Sequence, residues 1–290
     1  MKKIFSFLAA VMMLLTACQN DSEEQRPAEG MGRLSFEVVN YEQFSLDDET
    51  TRASMSKLTH LDMVVYDAST NALVEHQHQA QGDNGYGTFS TTLPYGTYNI
   101  VLMGYEGSRT AIVDSPTAIH FADNFVPNFF YKTVPVTIDK PQTDAQNIAL
   151  QRPIAAFTVR SQGGQNPAEL ASMSVSCSGG SHHFNALTGK GATVEERSYT
   201  YDMSKYAGKD TTTTVTVYTF LTAEESTMNF TVTALDKEQG IIRTREFTDV
   251  PMKVNQRTRY SGFFFAADQG SAGFTLSLED SDFTVQDFNF

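Results

Sequence analysis

From residue 33 onward, apolar and polar positions trade places at every second residue in short runs. Leu34, Phe36 and Val38 alternate with Ser35 and Glu37; Tyr98, Ile100 and Leu102 share one face of their run, as Phe230, Val232 and Ala234 do of theirs. A period of two sends one set of side chains into a core and the other into water, which is how a half-buried strand reads. Gly, Asn, Asp and Pro punctuate the runs, as turns require. The pattern predicts strands at Leu34–Val39, Leu61–Tyr66, Gly87–Leu93, Thr97–Met103, Val134–Ile138, Asn147–Leu150 and Ile154–Arg160. Further strands are predicted at Ser172–Ser178, Thr212–Leu221, Met228–Leu235, Gly240–Phe247, Arg259–Ala266, Phe274–Leu278 and Phe283–Phe290. Almost nothing shows a helical period. The predicted fold class is therefore all-β, with the strands packed as sandwiches.

The first residues break this pattern. Lys2-Lys3 give a positive start, and Ile4–Leu15 is an apolar run too short for a membrane span, which needs roughly 20 residues. Small residues Thr16-Ala17 precede Cys18, after which Gln19-Asn20-Asp21-Ser22-Glu23-Glu24 turns polar and acidic. These features predict a signal peptide over 1–17 and a flexible tether over 18–32. Leu15-Thr16-Ala17-Cys18 resembles the lipobox of bacterial lipoproteins, which implies lipid, palmitate included, on Cys18 as the mature N-terminus. Each buried CH2 contributes about 0.8 kcal/mol, and the two or three acyl chains implied suffice for stable anchoring. The acidic Asp21, Glu23 and Glu24 resemble the export signal of surface lipoproteins in Bacteroidetes, implying display on the outer leaflet of the outer membrane.

Composition narrows the partners. Removal of residues 1–17 takes Lys2 and Lys3 from 21 basic residues, leaving 19 against 34 acidic and a net charge of −15. Such a surface repels nucleic acid and anionic lipid. Of the two cysteines, Cys18 is spoken for by lipid, so the fold has no disulfide and must hold by its core. Apolar residues at 40%, with 21 Phe and 12 Tyr, can supply one. Cys177 shares a face with Met173 and Val175 in Ser172–Ser178 and reads as a core thiol.

A turn-rich break, Pro141-Gln142-Thr143-Asp144, divides the chain into an N-terminal sandwich over 33–146 and a C-terminal one over 147–290. Pro153 has no N–H for a ladder, so Ile148–Leu150 and Ile154–Val159 are either two strands or one edge strand with a break. Leu93-Pro94-Tyr95-Gly96-Thr97-Tyr98 looks like the hairpin of transthyretin-like domains, with Gly96 permitting the turn and Tyr98 returning to the core. Taken with the lipobox, the Thr51-Arg52-Ala53 step before Leu61–Asp67 and the Leu150–Val159 crossover, the chain resembles the fimbrillin and fimbrial-anchor superfamily, the type V pilus proteins of Bacteroidetes. The resemblance implies two tandem transthyretin-like (Ig-like) β-sandwich domains, assembly with other pilus subunits by β-strand exchange, and protease cleavage between Arg52 and Ala53 in polymerising members.

Catalytic signatures are missing: no phosphate loop, zinc-binding cysteine set, nucleophile elbow or HExxH helix occurs. His76 and His78 would share a strand face and His182-His183 are adjacent, but neither pair brings a third ligand at diagnostic spacing, so both read as solvated and no metal or cofactor is expected. Glu195-Glu196 and Glu224-Glu225 read as exposed turn charges rather than a glycosidase pair. No enzyme is expected. In the tail, Phe283 and Val285 face one way and Phe288 and Phe290 the other, suiting the last strand of a sandwich or a donated one. The expected function is structural and adhesive: an anchor or accessory pilus subunit held to the outer membrane through Cys18, with Arg52 uncut. Alternatives are a shaft pilin cut after Arg52 and a glycan-binding surface lipoprotein, the latter disfavoured by the absence of Trp.

Overall fold

The structure is a computed structural model that describes residues 29–41, 57–142, 145–162, 164–266, 273–280 and 286–288. Cys18, the acidic Asp21, Glu23 and Glu24, and the Arg52-Ala53 step lie outside the described residues. The first half holds β1 (Met31–Tyr41), β2 (His60–Asp67), β3 (Leu73–Ala80), β4 (Thr88–Pro94), β5 (Gly96–Tyr105), β6 (Ala111–Ile112), β7 (His120–Phe121), β8 (Phe129–Ile138) and β9 (Gln146–Leu150). The second holds β10 (Ile154–Ser161), β11 (Ser172–Ser178), β12 (Phe184–Asn185), β13 (Lys190–Gly191), β14 (Glu196–Asp202) and β15 (Thr213–Phe220). It continues with β16 (Glu225–Leu235), β17 (Ile241–Lys253), β18 (Gln256–Gly262), β19 (Phe274–Asp280) and β20 (Gln286–Phe288).

Two sheets, in the orders β4-β1-β9 and β3-β2-β5-β8, enclose a core that includes Leu34, Phe36, Val38, Leu61, Met63, Ile100, Leu102 and Leu150. Two more, β15-β10-β18-β19-β20 and β14-β11-β16-β17, enclose a second core centred on Phe157 and Phe230, whose rings stack at 3.8 Å. Alternation explains the outer strands, but β2 and β5 are buried on both sides. Their near-continuous apolar runs are what such strands require. Met63, Val65, Ile100 and Leu102 point into the first core, while Val64, Tyr66, Val101 and Met103 point the other way, into a third. That third core joins the halves: Phe129 of β8 packs against Phe184 and Phe220 of the second half, at ring distances of 5.1 and 5.4 Å.

The chain changes sandwiches at Gln151-Arg152-Pro153. Strand β9, placed by the sequence reading at the start of the second half from residue 147, pairs in parallel with β1 and sends Ile148 and Leu150 into the first core. The two-strand reading of the segment is the one observed: Pro153 cannot donate, so the ladder stops and β10 starts afresh beside β15 and β18. Arg152 is buried in the link with its guanidinium over the Phe130 ring at 4.7 Å, and burial lowers its pKa to about 10.

Three further sequence expectations change. Leu93–Tyr98 is not a hairpin but a corner, since β4 and β5 belong to different sheets. The Tyr98 hydroxyl donates to the Pro94 carbonyl at 2.9 Å, fixing the corner, and a Cβ on Gly96 would lie 3.2 Å from that hydroxyl and 3.4 Å from the ring. Close approach, not backbone handedness, is what calls for glycine there. Strand β3, sequence LVEHQHQA, is missing from the runs that alternation predicts because it has no apolar face, although His76 and His78 do share a strand. It is an edge strand held by its ladder with β2 and by Gln77 and Gln79, whose side-chain amides donate to the Ser90 and Thr88 carbonyls of β4, each at 2.8 Å. Strand β18 ends at Gly262, and Phe263–Ala266 turns instead of extending, with the Ala266 N–H donating to the Phe263 carbonyl.

Candidate functional site

Strand β1 is the middle strand of its three-stranded sheet. Met31–Glu37 pairs antiparallel with Thr88–Pro94 of β4, and Phe36–Tyr41 pairs in parallel with Gln146–Leu150 of β9. Beyond the ladders, the Arg33 N–H donates to the Pro141 carbonyl, the Val38 N–H to that of Gly87 and the Tyr95 N–H to that of Gly30, at 2.8–2.9 Å. Every second side chain from Leu34 to Val38 is an anchor, and after the register shift between Val38 and Asn40 Tyr41 is the next: Leu34 and Phe36 are 1% exposed, Val38 4% and Tyr41 6%. The Tyr41 ring meets Phe130 edge-on at 4.6 Å, and burial pushes its hydroxyl up to about 12. Outward-facing Val39 is exposed. Gly32 is fixed by proximity: a Cβ there would come within 2.3 Å of the Ile138 methyl and 2.5 Å of the Lys140 carbonyl oxygen.

This arrangement defines a slot. Neighbouring strands sit about 4.8 Å apart, so without β1 the facing edges of β4 and β9 would stand about 10 Å apart, both with unpaired N–H and C=O groups. Pockets now filled by Leu34, Phe36 and Val38 would open onto the first core. Burying three such side chains contributes on the order of 5 kcal/mol, which makes an empty slot receptive to any extended apolar segment of matching register. The Arg52-Ala53 step falls between β1 and β2, in the segment outside the described residues, so a cut there would leave β1 joined to the body by noncovalent contacts alone. At the other end of the chain, β20 pairs antiparallel with β19, Phe288 opposite Leu276, at the edge of the five-stranded sheet. The tail's backbone thus takes the last-strand place; Phe283, Val285 and Phe290 lie outside the described residues.

His76 and His78 are exposed, as expected, and His183 is half-buried, but His182 is buried. His76 and His78 of β3 both reach the fully buried Asp62 of β2, at 2.5 and 3.1 Å, and the Tyr105 hydroxyl donates to the other oxygen of that carboxylate at 2.7 Å. His182 and His183 both meet Glu195, a third group that no sequence spacing could supply. Burial, with His183 alongside, lowers the His182 pKa below the ordinary histidine value. At Glu195 burial works to raise the pKa, but the Thr193 hydroxyl and the two histidines outweigh it and hold the carboxyl below its usual range. Cys177 lies in the second core, where burial pushes its thiol up and away from nucleophilic use. Glu224 and Glu225 are exposed, as expected, with Glu224 3.6 Å from Lys190, and of the other doublet Glu196 is exposed while Glu195 is half-buried.

No curated protein matches the chain. Residues 126–285, just over half of it, match a family described as of unknown function, DUF6562. Among solved structures, the fold matches a candidate adhesin from Bacteroides ovatus at TM-score 0.52 and 11% identity, over 89% of this chain and 95% of that one. A candidate polysaccharide-binding protein (DUF1812) from Bacteroides thetaiotaomicron is 13% identical, with TM-score 0.49 and coverage of 85% and 95%. The fimbrial anchor protein Mfa2 from Porphyromonas gingivalis is 11% identical, with TM-score 0.42 and coverage of 90% and 98%. The likeness to the candidate adhesin, at 11% identity, is one of all-β fold.

Proposed function

The chain belongs to DUF6562, a family of unknown function, and from that premise we propose that it is a structural and adhesive surface lipoprotein, an anchor or accessory subunit of a pilus assembled by β-strand exchange. Lipid on Cys18 holds it in the outer membrane, the acidic Asp21, Glu23 and Glu24 direct it to the cell surface, and its partners are other pilus subunits. One observation carries the reading: the first strand after the tether is the middle strand of its sheet, with Leu34, Phe36 and Val38 buried and both edges paired. It is at once the part that ties the body to the lipid and the part whose replacement would join two subunits. An anchor keeps β1, since a cut between Arg52 and Ala53 would separate the body from Cys18. The fold shared with a candidate adhesin supports the same class of role.

A second reading rests on the same slot: a polymerising subunit, cut after Arg52, loses β1 and accepts a donor strand. Mass spectrometry of the protein from native outer membranes separates them. The anchor reading expects peptides from Cys18 and from beyond Ala53 in one intact chain; a mature form beginning at Ala53 overturns it in favour of the polymerising subunit.

A further inference from the structure

His182, His183 and Glu195 are gathered by a short piece of backbone scaffolding. The Glu195 N–H donates to the Gly180 carbonyl at 3.0 Å and the Ala192 N–H to that of His183 at 2.9 Å, which holds residues 192–195 beside residues 180–183. The chain bends at His182-His183, so two adjacent imidazoles, which an extended strand would send to opposite faces, lie side by side with ring centres 4.0 Å apart. One nitrogen of each ring and one Glu195 carboxylate oxygen fall within 4.8 Å of one another.

The carboxylate is shared. Oε1 meets His183 Nδ1 at 3.2 Å and accepts from the Thr193 hydroxyl at 2.5 Å. Oε2 faces His182 Nδ1, and both of these buried atoms lack a partner of hydrogen-bond geometry among the described residues. Two imidazole nitrogens and a carboxylate oxygen form a donor set used for divalent transition metals, zinc above all, and the Thr193 hydroxyl supplies the outer hydrogen bond that orients a carboxylate ligand. A fourth group stands alongside. His120 of β7 comes from the first half, brought over by the paired bonds between Ile119 and Phe184, 2.8 and 2.7 Å, and its ring centre is 4.8 Å from that of His183.

We propose that His182, His183 and Glu195 bind one divalent transition-metal ion of the zinc class, with His120 as the fourth ligand, so that the ion ties the β7 segment of the first half to the 180–195 segment of the second. Ligand bonds of about 2.0–2.2 Å to a tetrahedral ion place donor atoms about 3.4 Å apart. His182 Nδ1 and Glu195 Oε2, which touch each other without the ion, move apart to that spacing as it enters between them, and the partly exposed His183 and His120 reach it by side-chain rotation. Oxidation state and covalent bonding are unchanged on binding; the ion displaces any proton shared between His182 and Glu195.

The full chain, stripped with chelator and titrated with Zn2+ against a chromophoric competitor, tests this. One ion per chain is expected, together with a rise in the melting temperature, because an ion that binds only the folded state stabilises it. Glu195→Gln keeps the shape of the side chain and should weaken binding at least about tenfold, as should His183→Ala, which removes a partly exposed ring. Co2+ in place of Zn2+ should show the intense visible absorption of a tetrahedral site, lost in both variants. His120→Ala should also weaken binding. Failure to bind Zn2+, or equal affinity in wild type, Glu195→Gln and His183→Ala with folding intact, overturns the site; equal affinity in His120→Ala overturns the link between the halves.

Discussion

If β1 is an element seated in a slot, shortening one anchor should loosen that strand before anything else. Phe36 is the anchor to change: it is 1% exposed, central in β1, opposite Phe89 on β4 and Gln146 on β9. Phe36→Ala removes a buried ring and leaves a cavity that the rest of β1, tied by hydrogen bonds on both edges, can only partly fill. Substitutions of this kind cost about 3–5 kcal/mol. Val39→Ala on the same strand is the control, since Val39 is 44% exposed and such changes stay within about 0.5 kcal/mol. Amide hydrogen exchange is the assay, because it reports opening of a single element where a global melt of several cores is not one transition. At about 1.4 kcal/mol per decade, protection of the β1 amides should fall by roughly two to three and a half decades in Phe36→Ala. It should fall also at the β4 and β9 amides bonded to β1, and hardly at all in β11 or β16 of the second sandwich. A loss below about tenfold in β1, or an equal loss across both sandwiches, would refute the idea of a separable strand held by its anchors.

Metabolic labelling with a clickable palmitate should mark the wild-type protein and leave Cys18→Ala unlabelled; equal labelling of both would remove the lipid anchor. Asp67 accepts hydrogen bonds from the Ser69 and Thr70 side chains and backbone, which lower its pKa to about 2 from the ordinary 3.8. Because the folded value is the lower one, the stabilisation of this β2–β3 turn is complete above the unfolded value and fades as pH falls from near 4 toward 2. An NMR titration of the Asp67 carboxyl should give a midpoint near 2, and one near 4 would mean that the turn network does not form in solution.

Strands with one apolar face were legible residue by residue. Ser172–Ser178 was read from Met173, Val175 and Cys177 and occupies those same residues; Leu34, Phe36 and Val38 gave away β1 because a period of two is a property of the strand itself. Strand β3 was not legible, for Leu73–Ala80 is an edge whose side chains are satisfied by Asp62, Ser90 and Thr88 on other strands. The same limit applies to Leu93–Tyr98: turn residues announce a reversal but not whether the next strand joins the same sheet. The middle position of β1 depends on its pairing with β9, over a hundred residues away. Sequence could name β1 as the strand at stake without showing that its removal opens a slot rather than trims an edge. Glu195 was visible only as half of an acidic doublet, because its meeting with His182 and His183 is made by backbone bonds between segments that share no motif.

The third core also decides how the molecule would bear a pull. With lipid on Cys18 as proposed, drag would act at the far end of the chain, and two bodies on a bare linker would respond by swinging, with tension concentrated in Gln151-Arg152-Pro153. Here Phe129 is wedged between Phe184 and Phe220, and Tyr131 lies against Phe184 at 4.7 Å, so any swing must first pull these rings into water. Load arriving at the second sandwich is spread over an aromatic joint before it reaches β1. With the proposed tether at Cys18, a pull on the second sandwich would pass through that joint to β1, seated between β4 and β9.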